Sequence, residues 1–383
     1  MDLVADMLVR YLPTQTDSRV AAGRLCPSFR ERFGHLSLLP RKFAWNSDRL
    51  MNRFVDYPAW IENQRSHYDL FHIVDHSYAH LIHRLEGKPV VTTCHDLDTF
   101  RCVLDPERER RPLWFRRMTR RILDGFLHSD HVVAVSETTR EELLRHRLFR
   151  PEQITYIANA VHPACSPLAN AEADAIASQL LTAREPSTVW LLNVGSTLAR
   201  KRLDILLHVF AAVRGAIPDA KLVRAGGGFT PAQEQLAKER GVEDAIVILP
   251  FLERDVLAAI YRRSTLLLQT SDAEGFGLPV IEAMACGCPV IASDLPVLRE
   301  AGGDAVEYCE VGNIDAWRDT VLRTLALLRE PESAGELRQR SLDRASRFSW
   351  AENARQTVEV YRHVLAQQGV GKSVSRPGPQ PAR

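Results

Sequence analysis

The chain has 383 residues, 45% hydrophobic and 25% charged, with 49 Lys and Arg against 48 Asp and Glu for a net charge of +1. That length calls for two domains of about 150–200 residues each, and the composition excludes disordered, collagenous and coiled-coil chains. Near-neutral charge gives no general case for nucleic-acid binding, so any basic feature must be local. No apolar run approaches the ~18–20 residues of a membrane-spanning helix. The start, MDLVADMLVRYL, carries Asp2 and Asp6 and lacks the basic segment and cleavage site of a signal peptide. The seven cysteines (Cys26, Cys94, Cys102, Cys165, Cys286, Cys288, Cys309) are scattered, without a Cys-x-x-Cys pair. They predict reduced thiols in a cytoplasmic protein rather than disulfides or a zinc centre.

In chain order, the first expected element is a helix with Leu3, Val4, Met7, Leu8, Tyr11 and Leu12 on one face, and the first credible strand is Ser18–Leu25. Buried strands are then expected at Phe71–Asp75, Pro89–Thr93, His131–Val135, Ile154–Ile157, Val189–Val194, Ala220–Arg224, Ile246–Leu249, Thr265–Leu268 and Pro289–Ala292. Helical segments between them include Arg202–Arg214, Pro231–Arg240, Val256–Arg263 and Pro279–Cys286. Alternation of helices with near-continuous apolar strands predicts an α/β protein with parallel sheets covered on both faces. Pro163, Pro167 and Pro186 around a short Ala-rich helical piece mark a boundary from about Pro163 to Ser187. The expected division is 1–165, 186–348, a C-terminal helix at 349–366 packing back toward the first domain, and a disordered Gly/Pro/Ser-rich tail at 367–383. Each main domain reads as a Rossmann-like, doubly wound parallel sheet, the two facing each other. Such a half normally opens with a central strand, and none is evident here. Either the start lies too far downstream and the chain is N-terminally truncated, which is the expectation, or the domain folds around a gap in its sheet.

The most informative string is Ser271-Asp-Ala-Glu-Gly-Phe-Gly-Leu-Pro-Val-Ile-Glu-Ala-Met-Ala-Cys-Gly-Cys-Pro-Val-Ile-Ala-Ser-Asp294. A strand ends near Leu268, a Gly-rich loop follows, Pro279 suits a helix N1 position and Gly287 its C′ position. Loop amides and a helix N-terminus at the carboxyl edge of a parallel sheet form an anion cradle that fits a diphosphate. Glu274 in the loop and Glu282 one turn into the helix can flank one pocket, where carboxylates accept hydrogen bonds from sugar hydroxyls. Single residues of this kind would read as a capped helix with two solvated glutamates. The whole string resembles the Glu-x7-Glu signature of the retaining, nucleotide-sugar-dependent glycosyltransferases of family 4, which have the GT-B fold. The likeness runs from Glu274 to Asp294 and on into Leu298-Arg-Glu-Ala-Gly-Gly-Asp304.

The resemblance implies that Glu282 binds the donor ribose, that Glu274 sits at the transferred sugar, and that the amides of Gly275, Phe276, Gly277 and Leu278 contact sugar and phosphate. After the first strand of the second domain comes Asn193-Val-Gly-Ser-Thr-Leu-Ala-Arg-Lys-Arg202. There Arg200 and Lys201 can reach a diphosphate and stabilise charge on a departing nucleotide. By the resemblance, Lys201 is the donor-phosphate lysine. Ser196 stands where the family carries an arginine after Gly195, and Arg200 is expected to take over that arginine's part. The resemblance further places Gly226, in Ala225-Gly-Gly-Gly-Phe229, near the diphosphate, and Phe251 and Leu252 beside the nucleotide base. His95 and Asp96, just past a first-domain strand end, match a His-Asp pair that points at the donor sugar.

Asp96-Leu-Asp98 also spells a metal motif of another glycosyltransferase fold, but no second metal-type cluster accompanies it, so no metal and no cofactor beyond the nucleotide sugar is expected. The implied activity is retaining transfer of a hexosyl group from a GDP- or UDP-linked sugar to a saccharide or lipid-linked acceptor, in polysaccharide or glycolipid biosynthesis. A catalytically inactive GT-B scaffold and a nucleotide-sugar epimerase are the alternatives. Residues 101–121 hold eight arginines against three acids, a local charge of +5. Arg116, Arg117, Arg120 and Arg121 share a helical face, either solvated or a peripheral contact for anionic lipid at the inner membrane face.

Overall fold

The computed structural model describes residues 2–14, 20–34, 40–181 and 188–370. Ser18 and Arg19 of the expected first strand, linker residues 182–187 and tail residues 371–383 lie outside them. The chain forms two units, Met1–Ile157 together with Ala351–Arg383, and Ala158–Trp350.

The first unit is built on four parallel strands, β1 (Phe71–Ile73), β2 (Val90–Cys94), β3 (His131–Ala134) and β4 (Ile154–Tyr156), paired in chain order. β2 and β3 are buried along their whole length, as strands covered on both faces must be. Buried polar side chains there find partners; Thr92 Oγ1 and Ser129 Oγ lie 2.7 Å apart. One face packs Phe71, Phe100, Phe126 and Leu143 into a core. The other, Val91, Val133 and Ile157, is closed by Val360 and Val364 of the terminal helix Trp350–Val370. That helix continues through residues 367–370, where the tail was expected to begin. The N-terminal helix Asp2–Tyr11 buries Leu3, Val4, Met7 and Leu8 as its periodicity predicts.

The expected strand Ser18–Leu25 does not form over its described part: residues 20–25 have no ladder partner. A cavity of about 700 Å³ separates that segment from β1, with Leu8, Leu25, Trp60, Phe71 and Tyr361 among its walls.

The second unit carries β5 (Trp190–Val194), β6 (Lys221–Ala225), β7 (Ile246–Leu249), β8 (Leu266–Gln269), β9 (Val290–Ser293) and β10 (Glu307–Cys309). All are parallel, in the order β10-β9-β8-β5-β6-β7. This is the doubly wound order, and its reversal falls between β5 and β8, the place where such sheets bind ligands beyond the strands' carboxyl ends. Leu206 and Phe210 of helix Leu203–Ala216 pack with Trp317 against Leu191 and Leu268. The Ala-rich helical piece expected at the boundary is the helix Ala171–Leu180, which belongs to this second unit, as do residues 158–165. The helix is tied to helix Arg254–Arg263 by Asp174 Oδ1, which accepts from Arg262 at 2.9 Å.

Candidate active site

At the reversal, the carboxyl ends of β5 and β8 are cross-linked by Asn193, whose Nδ2 donates to Leu268 O at 2.8 Å. Beyond β5 the chain turns at Gly195, and beyond β6 at Gly226, with φ of 151° and 105°. A Cβ on Gly226 would lie 2.3 Å from Gly195 O, so these two loops meet backbone to backbone. Beneath them Arg224, fully buried, donates from Nη2 to Gly195 O at 2.6 Å and from Nη1 to Ala225 O. Its Nε is buried without a partner, and among the described residues no carboxylate pairs with it. Burial alone pulls its pKa down to about 10.

The loop after β8 presents Glu274 to the loop after β5. Glu274 Oε1 accepts from Lys201 Nζ at 2.6 Å and Ser271 Oγ at 2.7 Å, and also from Gln269 Nε2. Oε2 faces Arg200 Nη1 at 3.3 Å, and the same Nη1 donates to Ala273 O at 3.0 Å. The three charged side chains are 6%, 12% and 24% exposed for Glu274, Lys201 and Arg200. An ion cluster this dry is weakly screened and strongly directional. Chemically, four donors converge on one anion, and here that anion is the chain's own carboxylate.

Gly275 leads into Phe276, which is buried edge-on against Phe348 with ring centres 5.7 Å apart. Gly277, at φ 102°, caps the helix Leu278–Ala285. A Cβ there would come within 2.9 Å of Leu298 Cδ2, so both backbone angle and space demand glycine. Leu278 therefore takes N1, which sets Pro279 one position later than the sequence suggested, while Gly287 with φ 71° ends the helix as expected. Glu282, one turn in, is buried. Its Oε2 accepts from the Tyr261 hydroxyl at 3.1 Å and its Oε1 from Arg254 Nη1 at 3.2 Å. Burial raises its pKa, and Arg254 and Tyr261 pull against that rise.

Of the other predicted donor residues, Phe251 is 81% exposed, while Leu252 beside it is half-buried. In the first unit, His95 and Asp96 follow β2 directly. His95 Nε2 donates to Val74 O at 2.8 Å, and a carbonyl only accepts, so the proton is on Nε2 and Nδ1 keeps a lone pair. Burial pushes the His95 pKa down to about 4, so the ring is neutral at physiological pH. Asp96 Oδ1 accepts from Asp98 N at 3.1 Å, closing a tight turn. On the helix Leu113–Leu127, Arg117, Arg120 and Arg121 are exposed and Arg116 is half-buried. Leu113 and Trp114 at its start are 74% and 62% exposed.

Sequence reading missed Tyr261, Arg254, Gln269, Ser271 and Arg224. Only Arg224 left a signal, a charge between the apolar Leu222, Val223 and Ala225 of a strand.

Residues 3–164 match the family model described as Glycosyltransferase Family 4, and residues 183–342 the model described as Glycosyl transferases group 1. The chain is a glycosyltransferase of the GT-B type. It is 34% identical over 188 residues to a D-inositol 3-phosphate glycosyltransferase of Frankia alni, a match spanning 46% of each chain. A protein of the same description from Segniliparus rotundus is 29% identical over 85% of this chain and 72% of its own. O-antigen chain mannosyltransferase B of Escherichia coli is 27% identical over 85% of this chain and 78% of its own. Among solved structures, sucrose-phosphate synthase of Thermosynechococcus elongatus superposes with a TM-score of 0.66 at 24% identity, covering 88% of this chain and 83% of its own. Anabaena HepE in complex with UDP and glucose gives 0.66 at 16% identity, covering 82% of each chain. At these identities the superpositions speak for the fold.

Proposed function

We propose that the chain transfers a hexosyl group from a GDP- or UDP-linked sugar to a saccharide or lipid-linked acceptor, with retention of the donor's anomeric configuration and without a metal ion. The observation that carries this reading is the cluster of Lys201, Arg200, Ser271 and Gln269 around Glu274 at the point where the second sheet reverses. Donors that hold a carboxylate there suit the diphosphate of a nucleotide sugar equally well, with the N-terminus of Leu278–Ala285 adding its dipole. An arriving diphosphate takes over Lys201 and Arg200. Glu274, released from both cations, is then free to accept from hydroxyls of the transferred sugar. Lys201 and Arg200 stabilise the nucleotide phosphate as it departs, charge that grows in the transition state. That phosphate is proposed to deprotonate the acceptor on the same face. Glu282 is assigned the donor ribose, and its shielding by Tyr261 and Arg254 fits a carboxylate held rigid for two hydroxyls. His95 and Asp96 are proposed as further residues of the reaction. The inositol-phosphate and mannosyl names of the relatives, and the UDP and glucose in HepE, favour sugar-nucleotide chemistry of this class. We also propose that the chain works in the cytoplasm, where the exposed Trp114, Leu113, Arg117, Arg120 and Arg121 rest on anionic lipid. Among the described residues no helix is long and apolar enough to cross a membrane.

A thermal-shift panel of GDP-, UDP-, ADP- and dTDP-sugars on wild type and Glu282→Ala tests the donor site. One nucleotide should stabilise the wild type and not the variant. No shift with any donor overturns the reading, and release of an epimerised nucleotide sugar without acceptor would replace transfer by epimerisation.

A further inference from the structure

The first unit holds a second cluster of chemistry-bearing side chains, His83, Asp124 and His128, none of them among the residues proposed for the transfer reaction. It sits where the helical turns His76–Arg84 meet the end of helix Leu113–Leu127. That junction is unusually close: a Cβ on Gly125 would lie 2.3 Å from Ala79 O and 2.8 Å from His80 Cα. Two backbones in direct contact fix the roots of His83 on one element and Asp124 on the other, so the side chains above them have little freedom to separate.

One ligand atom from each of the three residues lies within 4.8 Å of the other two. His83 Nε2 is 3.4 Å from Asp124 Oδ2. Bonds of about 2.0–2.1 Å in a tetrahedral zinc site set ligand atoms about 3.3 Å apart, so this pair already has the required span. His128 supplies the third ligand. Its Nδ1 donates to Asp124 O at 2.7 Å; because the carbonyl can only accept, the proton is on Nδ1 and the lone pair of a neutral ring on Nε2. A histidine held by a carbonyl at one nitrogen and left with a lone pair at the other is the arrangement that metal-binding histidines use. The two rings stand 5.6 Å apart at 65°, edge toward face rather than stacked. His83 is 30% and Asp124 60% exposed, which leaves one side open to water as a fourth ligand.

We propose that His83 Nε2, Asp124 Oδ2 and His128 Nε2 bind a divalent transition-metal ion, of which Zn²⁺ is the best match to two imidazoles and one carboxylate. The ion staples the turns His76–Arg84 to the helix Leu113–Leu127 and takes no part in the transfer reaction, so the site is independent of the proposed metal-free chemistry.

The test uses tag-free, chelator-treated protein at neutral pH, titrated with ZnCl₂ by calorimetry and with CoCl₂ by visible absorbance, with MgCl₂ as control. The expected result is one equivalent of Zn²⁺ and of Co²⁺ bound, no Mg²⁺, and a raised thermal midpoint for the first unit. Asp124→Asn and His128→Gln should each weaken binding by more than the roughly 10–100-fold produced by changes to outer partners. Both side chains are exposed, so the metal-free variants should unfold at the wild-type midpoint. No stoichiometric binding by the wild type overturns the proposal. So does undiminished binding by the variants, which would put the ion on other residues.

Discussion

Glu274 and Arg224 are each placed by charge rather than by shape, and each yields a distinct test. Glu274 competes internally for Lys201 and Arg200. Replacing it by Gln keeps the volume and removes the competing charge. Glu274→Gln should therefore bind the nucleoside diphosphate product several-fold more tightly while turnover falls by about 10²-fold or more, the scale of losing an electrostatic partner of the transition state. Calorimetry with the diphosphate and initial rates on the same preparation decide it; weaker diphosphate binding would mean the carboxylate does not compete. Arg224 is a buried cation with carbonyl partners only, Gly195 O and Ala225 O. It holds the Gly195 loop and adds positive potential behind the phosphate site. Arg224→Met removes both. It should raise the donor KM by about tenfold with kcat little changed, the signature of lost uniform binding, while Arg224→Lys, which keeps the charge, should recover part of the affinity. An unchanged KM in Arg224→Met would leave the residue with a purely structural part. Stability should move less than affinity, since replacing an unpaired buried charge by an apolar chain is often near neutral.

Among the elements, those with continuous apolar runs were legible from sequence, and those defined by their neighbours were not. β2, β3, β5 and β9 were expected within one residue of where they lie, because Val, Ile and Leu buried on both faces leave no other reading. β10 escaped because Glu307-Tyr-Cys309 is short and half-buried, and only pairing with β9 makes it a strand. The stretch 20–25 erred the other way: its pattern suits a strand, but with no partner beside it the ladder does not form, and a cavity lies next to β1 instead. In the site, Glu274 and Glu282 were legible as a motif. Tyr261 and Arg254 were not, since 21 residues separate the tyrosine from the carboxylate it holds. The Gly-rich loop after β6 looked weak in sequence, yet the structure gives Gly226 a specific reason to be glycine. Gly226→Ala places a methyl 2.3 Å from Gly195 O at a φ of 105°. We expect a loss of at least about 2 kcal/mol in denaturant unfolding, strain and clash together, where Gly228→Ala, with nothing within 4 Å of its added methyl, should cost far less. Equal costs at the two positions would remove the close-approach argument. The open side of β1 carries its own expectation: the amide of His72 should exchange with solvent orders of magnitude faster than those of Val91 and Thr92 in the covered β2.

At the scale of the whole molecule, the two units differ in how they respond to acid. In the first unit burial pushes His72 down to about 3 and His80, His95 and His131 each down to about 4, from an ordinary 6.5. His76 is lowered as well, with Asp75 and Asp96 working against its burial. A histidine whose folded pKa lies below its unfolded value is favoured neutral by the fold. Its contribution is complete above about 6.5 and is lost as pH falls from 6.5 toward 4, because there the unfolded chain binds protons that the folded one does not. Several such groups in one unit make the loss steep. Asp75, with its pKa lowered by His76 and by bonds from Ser77 despite burial, adds a loss of the same sign at still lower pH. The second unit carries an opposite device. Burial raises the Glu282 pKa, so protonation of that carboxyl relieves a cost instead of adding one. The first unit should therefore open at a higher pH than the second. Hydrogen exchange followed by mass spectrometry at stepped pH should show peptides of β1–β4 and the terminal helix Trp350–Val370 losing protection between about pH 6 and 4, with β5–β9 still protected. The terminal helix is the critical peptide: it lies last in sequence, yet Val360 and Val364 close the first unit's sheet. If it kept its protection while β2 and β3 lost theirs, the buried histidines would not be what couples the first unit to pH.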